Sequence, residues 1–298
     1  MDDFLSRPPH DVAVVLKLLL RRAGCRDYVV QLLRKALASK TKSAELSQGF
    51  QVLNAAYRQV IEAMSQRSAN SRQATISLQE LEAQITDQSI LSEKDAVTQV
   101  FYPHFVESEG LTLADSSNSW CIPVTVRRPS RTSGRSPYIL SVVISYLRSL
   151  LGLQILPHKI LQCFVFDLCV YFRQEHMLQQ LLHYHVLLDS PELALRLKDL
   201  ASSQAWATQA SLDMALRVRE FSVVADMLLF SRQYLDIVPF LVNQKEVTFK
   251  ISTLLEKLEE EDQDPELMHH VLAEIRLWKH EAEVTTSSPS DSSGRGIG

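Results

Sequence analysis

An all-α fold is predicted by three features of the sequence. Apolar residues recur at helical spacing through nearly every segment, and no segment reads as a convincing strand. Glycine is scarce: the chain has eight, three of them in the last five residues, which leaves few for hairpins or phosphate-binding loops. Ser, Asp and Pro stand at the places where helices should begin.

The most apolar stretch, Ser136 to Pro191, divides into three helices. Ser136 reads as an N-cap, with Pro137 at the first helical position, where its missing N–H costs nothing. Gly152 closes this helix and Pro157 opens the next. Gln174 and Glu175 mark a turn into the third, which is expected to run almost to Asp189, with Leu181 and Leu182 buried. In the first of the three, Ile139, Val142, Val143, Tyr146, Leu147 and Leu150 form one stripe, and Leu140, Ile144 and Leu151 broaden it. That width suits a helix lying between two layers.

The remaining elements follow in order. His10 to Gly24 reads as a helix with Val14, Val15, Leu18 and Leu19 on its buried face and Gly24 as C-cap. Asp27 to Ser39 carries Val29, Val30, Leu33 and Leu37, and Ser43 to Met64 carries Leu46, Phe50, Leu53, Tyr57, Val60 and Ile61. Ser65 to Gln73 reads as loose, and Leu78, Leu81 and Ile85 suggest a short marginal helix. Ser92 opens another helix in an approximate capping box with Asp95, its face being Ala96, Val100, Phe101 and Phe105.

Beyond the central stretch, Ser190-Pro191-Glu192 starts a helix that ends near Ser202. Short helices are then expected at Trp206–Arg219, Phe221–Ser231, Tyr234–Val242 and Val247–Leu258. Asp264-Pro265-Glu266 opens a last one, striped by Leu267, Val271, Ile275 and Trp278. The expected organisation is an N-terminal helical segment (1–107), a Ser/Arg-rich linker (108–135), a C-terminal helical domain (136–283) and a disordered tail (284–298). Roughly a dozen helices without a fixed-period motif predict an irregular α-solenoid of stacked antiparallel pairs, with a compact bundle as the other arrangement.

Composition narrows the function. With 298 residues, 46% apolar and 22% charged, the chain reads as a soluble folded protein. A net charge of −4 gives no global attraction to nucleic acid or acidic membranes. Cys25, Cys121, Cys163 and Cys169 form no CxxC, so neither a disulfide framework nor a zinc site is indicated, and a reducing compartment is expected. MDDFLSRPPH lacks the order of a signal peptide, and Arg148, Pro157, His158, Lys159 and Asp167 interrupt the central run before it reaches the length of about 20 residues that a membrane span needs.

Chemical motifs are sparse. His176 and His183 are one heptad apart, but His185 lies about 200° round the helix from His183 at the usual 100° per residue, and no Cys or carboxylate completes a metal set with these or with His269 and His270. Cys163 and Cys169 read as small buried apolar residues. Nucleophile-elbow, P-loop and zinc-protease motifs are absent. Arg127-Arg128-Pro129-Ser130 would suit a basic-directed kinase, although a solvated linker is the simpler reading. No catalytic, cofactor-binding or metal-binding residue is assigned, and a scaffold or binding module is expected.

One constellation is more specific. His183-Tyr184-His185-Val186-Leu187 followed by Asp189-Ser190, with Tyr146-Leu147-Arg148-Ser149-Leu150 before it and Ser211-Leu212-Asp213-Met214 after it, resembles the C-terminal domain of the Mic-one (Bulli) family. Leu19-Leu20-Arg21-Arg22 with Cys25, Leu53-Asn54 with Tyr57, and Asp87-Gln88-Ser89-Ile90-Leu91 fall in the family's order, so the resemblance covers most of residues 10 to 280. It implies a helical accessory subunit of the Mon-one–Ccz-one guanine-nucleotide exchange complex, which acts on the Rab GTPase of late endosomes and lysosomes in endosome maturation and autophagy. The resemblance also implies a cytoplasmic protein, peripheral on those membranes through the complex, with no active-site residue of its own. Family members carry an N-terminal β-propeller, so this sequence is expected to correspond to their C-terminal part. The alternative expectation is a solenoid subunit of another vesicle-tethering or coat complex.

Overall fold

The computed structural model describes residues 11–22, 24–70, 90–110, 137–231, 233, 236–237, 240, 266, 269–273 and 276–277, and every regular element among them is helical. The all-α class expected from periodicity is the one observed. The chain divides into two compact units, Met1–Leu188 and Asp189–Gly298.

In the first unit, α1 (Val12–Leu19), α2 (Arg26–Ala38) and α3 (Ser43–Asn70) come first. Asp11 caps α1, its Oδ1 accepting from the N–H groups of Ala13 at 3.0 Å and Val14 at 3.1 Å. The buried face is Val12, Ala13, Leu16 and Leu19, while Val14 is 50% and Leu18 54% exposed. This corrects the expected face, of which only Leu19 is buried. The reason lies on α3. A Cβ on Gly49 would come within 3.1 Å of Val12 Cγ1 and 3.3 Å of Leu16 Cδ1, so α1 is seated on the glycine through Val12 and Leu16. At about 100° per residue, Val14 and Leu18 then turn outward. The helix also stops well before Gly24, which takes φ +74° in the turn beyond.

α3 continues to Asn70, past the stop expected at Met64. Residues 71–89 lie outside the described part, and with them the expected Leu78–Ile85 helix. A continuous helical run follows: α4 (Glu93–Asp95), a π-helical turn π1 (Ala96–Phe101) and α5 (Tyr102–Glu109). Ser92 caps it, accepting from Asp95 N–H at 3.1 Å while its hydroxyl donates to Asp95 Oδ2 at 2.7 Å. Pro103 explains the π turn. It has no N–H for the Gln99 carbonyl, Tyr102 N–H reaches back five residues to Val97, and Arg34 Nε of α2 donates to the freed Gln99 oxygen. Arg26 of α2 pairs with Asp95 at 2.8 Å, fixing the other end of the same run.

α6 (Tyr138–Gly152), α7 (Lys159–Tyr171) and α8 (Glu175–His183) complete the unit. Pro137 is the N-cap of α6 with extended ψ of 142°, so the expected placing of Pro137 inside the helix shifts by one residue. α6 runs along α3: Ser43 and Ser145 hydroxyls meet at 3.1 Å, and Asn54 Nδ2 donates to the buried Ser149 hydroxyl at 3.1 Å. Phe50, Phe101 and Tyr146 close the space between α3, π1 and α6, each pair edge-on with centroids 5.2 to 6.0 Å apart. A second aromatic group, Phe105, Phe164, Tyr171 and Phe172, joins α5 to α7, and Tyr171 donates to Glu109 Oε2 at 3.1 Å.

The second unit begins with α9 (Pro191–Ala201), α10 (Ala205–Val218) and α11 (Phe221–Phe230). Ser190 caps α9, accepting from Leu193 N–H at 3.2 Å, and Pro191 takes the first helical position as the sequence indicates. The short connection between α9 and α10 makes them an antiparallel pair, pinned where the buried Ser211 hydroxyl donates to Ala194 O at 3.1 Å. Arg217 grips Asp189 with two bonds, at 2.6 and 2.9 Å, and Lys198 pairs with Asp226 of α11. Asp236, Ile237 and residues 269–273 are helical, with Val271 fully buried. The expected Val247–Leu258 helix, residues 111–136 of the linker region and the tail from Val284 lie outside the described residues.

Candidate functional site

The histidine-rich motif at the end of α8 is a helix cap. Tyr184 N–H bonds to Gln180 O, His185 takes φ +51°, His185 N–H reaches Leu182 O at 3.1 Å, and Val186 N–H reaches Leu181 O at 2.9 Å. This is the double closure of a Schellman motif, with His185 in the left-handed position usually given to glycine. The third helix therefore ends at His183, short of the stop expected near Asp189. Leu178 and Leu187, both 0% exposed, anchor its two sides, while Leu181 and Leu182 are only half-buried, against expectation.

The same geometry decides what the histidines can do. His176 and His183 stand on α8 and His185 has left it; all three are exposed. The His183 and Tyr184 rings sit edge-on at 5.0 Å, and Tyr184 is 72% exposed. Among the described residues no three His, Cys, Asp or Glu side chains are grouped to hold a metal ion. Of the two cysteines read as buried, Cys169 is, and Cys163 is half-buried. Burial pushes the Cys169 thiol up to about 12, which keeps it protonated and unreactive at neutral pH. Ser130 lies outside the described residues.

Sequence reading missed the polar groups that are truly sealed. Glu93, 3% exposed, accepts the backbone N–H of His158 at 2.7 Å, tying α4 to the N-terminus of α7. Burial raises its carboxyl to about 7, and the His158 N–H opposes that only in part. His158 is itself the N-cap of α7, its Nδ1 accepting from Ile160 N–H at 3.2 Å. Gln162 spans two loops: Nε2 donates to Pro157 O at 2.7 Å and Oε1 accepts from Leu188 N–H at 2.6 Å. A perturbed carboxyl is a common mark of an active site. Here it is closed off by helix contacts, so its work is to join two helices. A capping pattern at Ser92 with Glu one residue on is too common in sequence to have marked it.

The other end of α6 shows why glycine misled the boundaries. Gly152 remains helical, and the left-handed residue is Gln154, at φ +58°, with Gln154 N–H on Leu151 O at 2.9 Å and Ile155 N–H on Leu150 O at 3.0 Å. Lys40, Arg173 and Arg219 take the same conformation after α2, α7 and α10. Arg58 Nη1 adds a bond to the Leu153 carbonyl at 2.9 Å, satisfying another acceptor at that helix end.

What the described residues bring together is thus a set of tightly closed helices whose unusual side chains point outward at caps or are sealed between neighbours. By fold this is an all-α protein. A family model described as the C-terminal region of the Regulator of MON1-CCZ1 complex matches residues 124–280, and the chain belongs to that family. This bears out the resemblance read from the His183–Val186 signature. The Mus musculus protein named Regulator of MON1-CCZ1 complex is 27% identical over 239 residues, and the Homo sapiens protein of the same name 26% over 239 residues. Each match covers 78% of this chain and 32% of the relative, so the chain spans about a third of the length of the curated relatives it matches.

Proposed function

We propose that this chain is a helical, solenoid-type scaffold that acts as an accessory subunit of a MON1–CCZ1 complex without catalysing a reaction itself. The observation that carries the reading is the family match over residues 124–280, supported by the names of the mouse and human relatives. On this reading the complex exchanges guanine nucleotide on the late-endosomal Rab GTPase. The chain is then cytoplasmic, recruited through its partners to late endosomes and lysosomes, and works in endosome maturation and autophagy. The 136–283 domain supplies the contacts to the heterodimer, with 108–135 as a linker.

Affinity purification of the tagged full chain from cells tests this directly. MON1 and CCZ1 are expected together in near-equal amounts. Recovery of neither partner, with the chain shown to be helical by circular dichroism, would overturn the reading. Recovery of a different tethering or coat assembly would replace it with the alternative scaffold role.

A further inference from the structure

The outward face of α1 carries a pattern that the proposed partners do not account for. Val14 and Leu18, one turn apart, are 50% and 54% exposed, because seating on Gly49 through Val12 and Leu16 points them away from α3. Lys17 lies between them on the same face, and Arg21 and Arg22 follow in the turn after the helix; all three cations are exposed. No acidic residue occurs between Asp11 and Asp27. Two exposed aliphatic side chains and three cations therefore occupy one small surface, despite the chain's net charge of −4.

We infer that this face of α1 docks on an anionic phospholipid bilayer. The helix is too short to cross one, and no helix among the described residues is long and apolar enough to do so. It would lie in the interface, with Val14 and Leu18 entering the acyl boundary while the long stems of Lys17, Arg21 and Arg22 hold their charges among the phosphates. The chemistry favours a bilayer over an acidic protein. Protein interfaces are enriched in aromatic anchors, and this face has none. An aliphatic pair flanked by three cations with no acidic neighbour is instead the pattern of a helix lying on an anionic bilayer. The inference stands on α1 alone and does not depend on which partners the chain binds.

Flotation of the full chain with vesicles tests it. Vesicles of phosphatidylcholine enriched in phosphatidylserine, which carry a negative surface potential, are expected to carry the protein up the gradient at low salt. Pure phosphatidylcholine is expected to leave it behind. Lys17→Gln with Arg21→Gln should weaken binding about 25-fold, taking about fivefold per cation. Leu18→Ser with Val14→Ser should weaken it several-fold at unchanged charge, with thermal unfolding unaltered because both side chains are exposed. Equal flotation of the wild type with neutral and anionic vesicles would overturn the inference. So would loss on charge removal but none with the serine pair, or equal binding to a polyglutamate peptide, since either would mark a general polyanion patch.

Discussion

α6 and α8 stand on either side of α7 in the sequence and use their apolar residues differently: eight of ten are buried in α6, and Leu178 alone of four in α8. α6 buries nine of its 15 residues, and α8 buries one of nine. α6 meets α3 on one side and α7 on another, with Phe101 of π1 packed against Tyr146. α8 rests on α7 through Leu178 and otherwise shows its residues half-buried or exposed. The lesson is that apolar content reports what a helix can bury, whereas the number of neighbours sets what it does bury.

The largest test of this contrast is a pair of leucine truncations. Leu147, 1% exposed on α6, should cost about 2–5 kcal/mol on replacement by Ala. Leu182, half-buried on α8, should cost roughly 1 kcal/mol. Urea unfolding measures both, and equal losses would mean that the two helices are equally enclosed. Asp at Leu178 should prevent folding, while Asp at Leu182 should be tolerated.

The buried joint between α4 and α7 gives the next effect. Glu93 keeps its proton to about pH 7 in the folded chain, against an ordinary value of 4.5. The folded state therefore binds more protons between those values. Stability falls as pH rises through that window and then levels, by on the order of 3 kcal/mol in all. Glu93→Gln keeps an acceptor for the His158 N–H and should abolish the slope. The variant is expected to be more stable than wild type at pH 7.5 and about equal at pH 4.5. A wild-type curve without that decline would show that the carboxyl is hydrated.

Much of this architecture was legible in the sequence, and the misses share a cause. The buried stripe of α6, the faces of α2 and the Ser92–Asp95 and Ser190–Pro191 starts were readable because periodicity and capping are local. The face of α1 was not, because it is chosen by a glycine on α3. The ends of α6 and α8 were misplaced because Gln154, two residues past the glycine expected to close α6, and His185, well before Asp189, take the left-handed backbone. Glu93 and Gln162 escaped notice because their partners lie 65 and 26 residues away in sequence. As for the family signature, its residues were visible but their role as a cap was not.

The caps offer a finer comparison of the two helices. Gln154 closes α6 and His185 closes α8, both at positive φ. An L-residue there pays about 1–2 kcal/mol in steric cost, part of which glycine gives back through the greater freedom of its unfolded chain. Gln154→Gly and His185→Gly should each raise stability by roughly 0.5–1 kcal/mol, seen as a higher melting temperature. Loss of stability in either would show that the side chain makes a contact worth more than the strain.

The smallest expected effect concerns the imidazoles themselves. His176 and His183 are exposed and one heptad apart on α8, and the His183 ring meets the Tyr184 ring edge-on. Replacing either by Ala should change stability by less than about 0.5 kcal/mol, as exposed substitutions usually do. Zinc added in stoichiometric amount should leave the melting temperature of wild type and variants the same. If zinc stabilised the wild type alone, the two side chains would be binding a metal that their geometry does not gather. If it does not, the motif holds its place through backbone closure, with His185 as the residue that turns the chain.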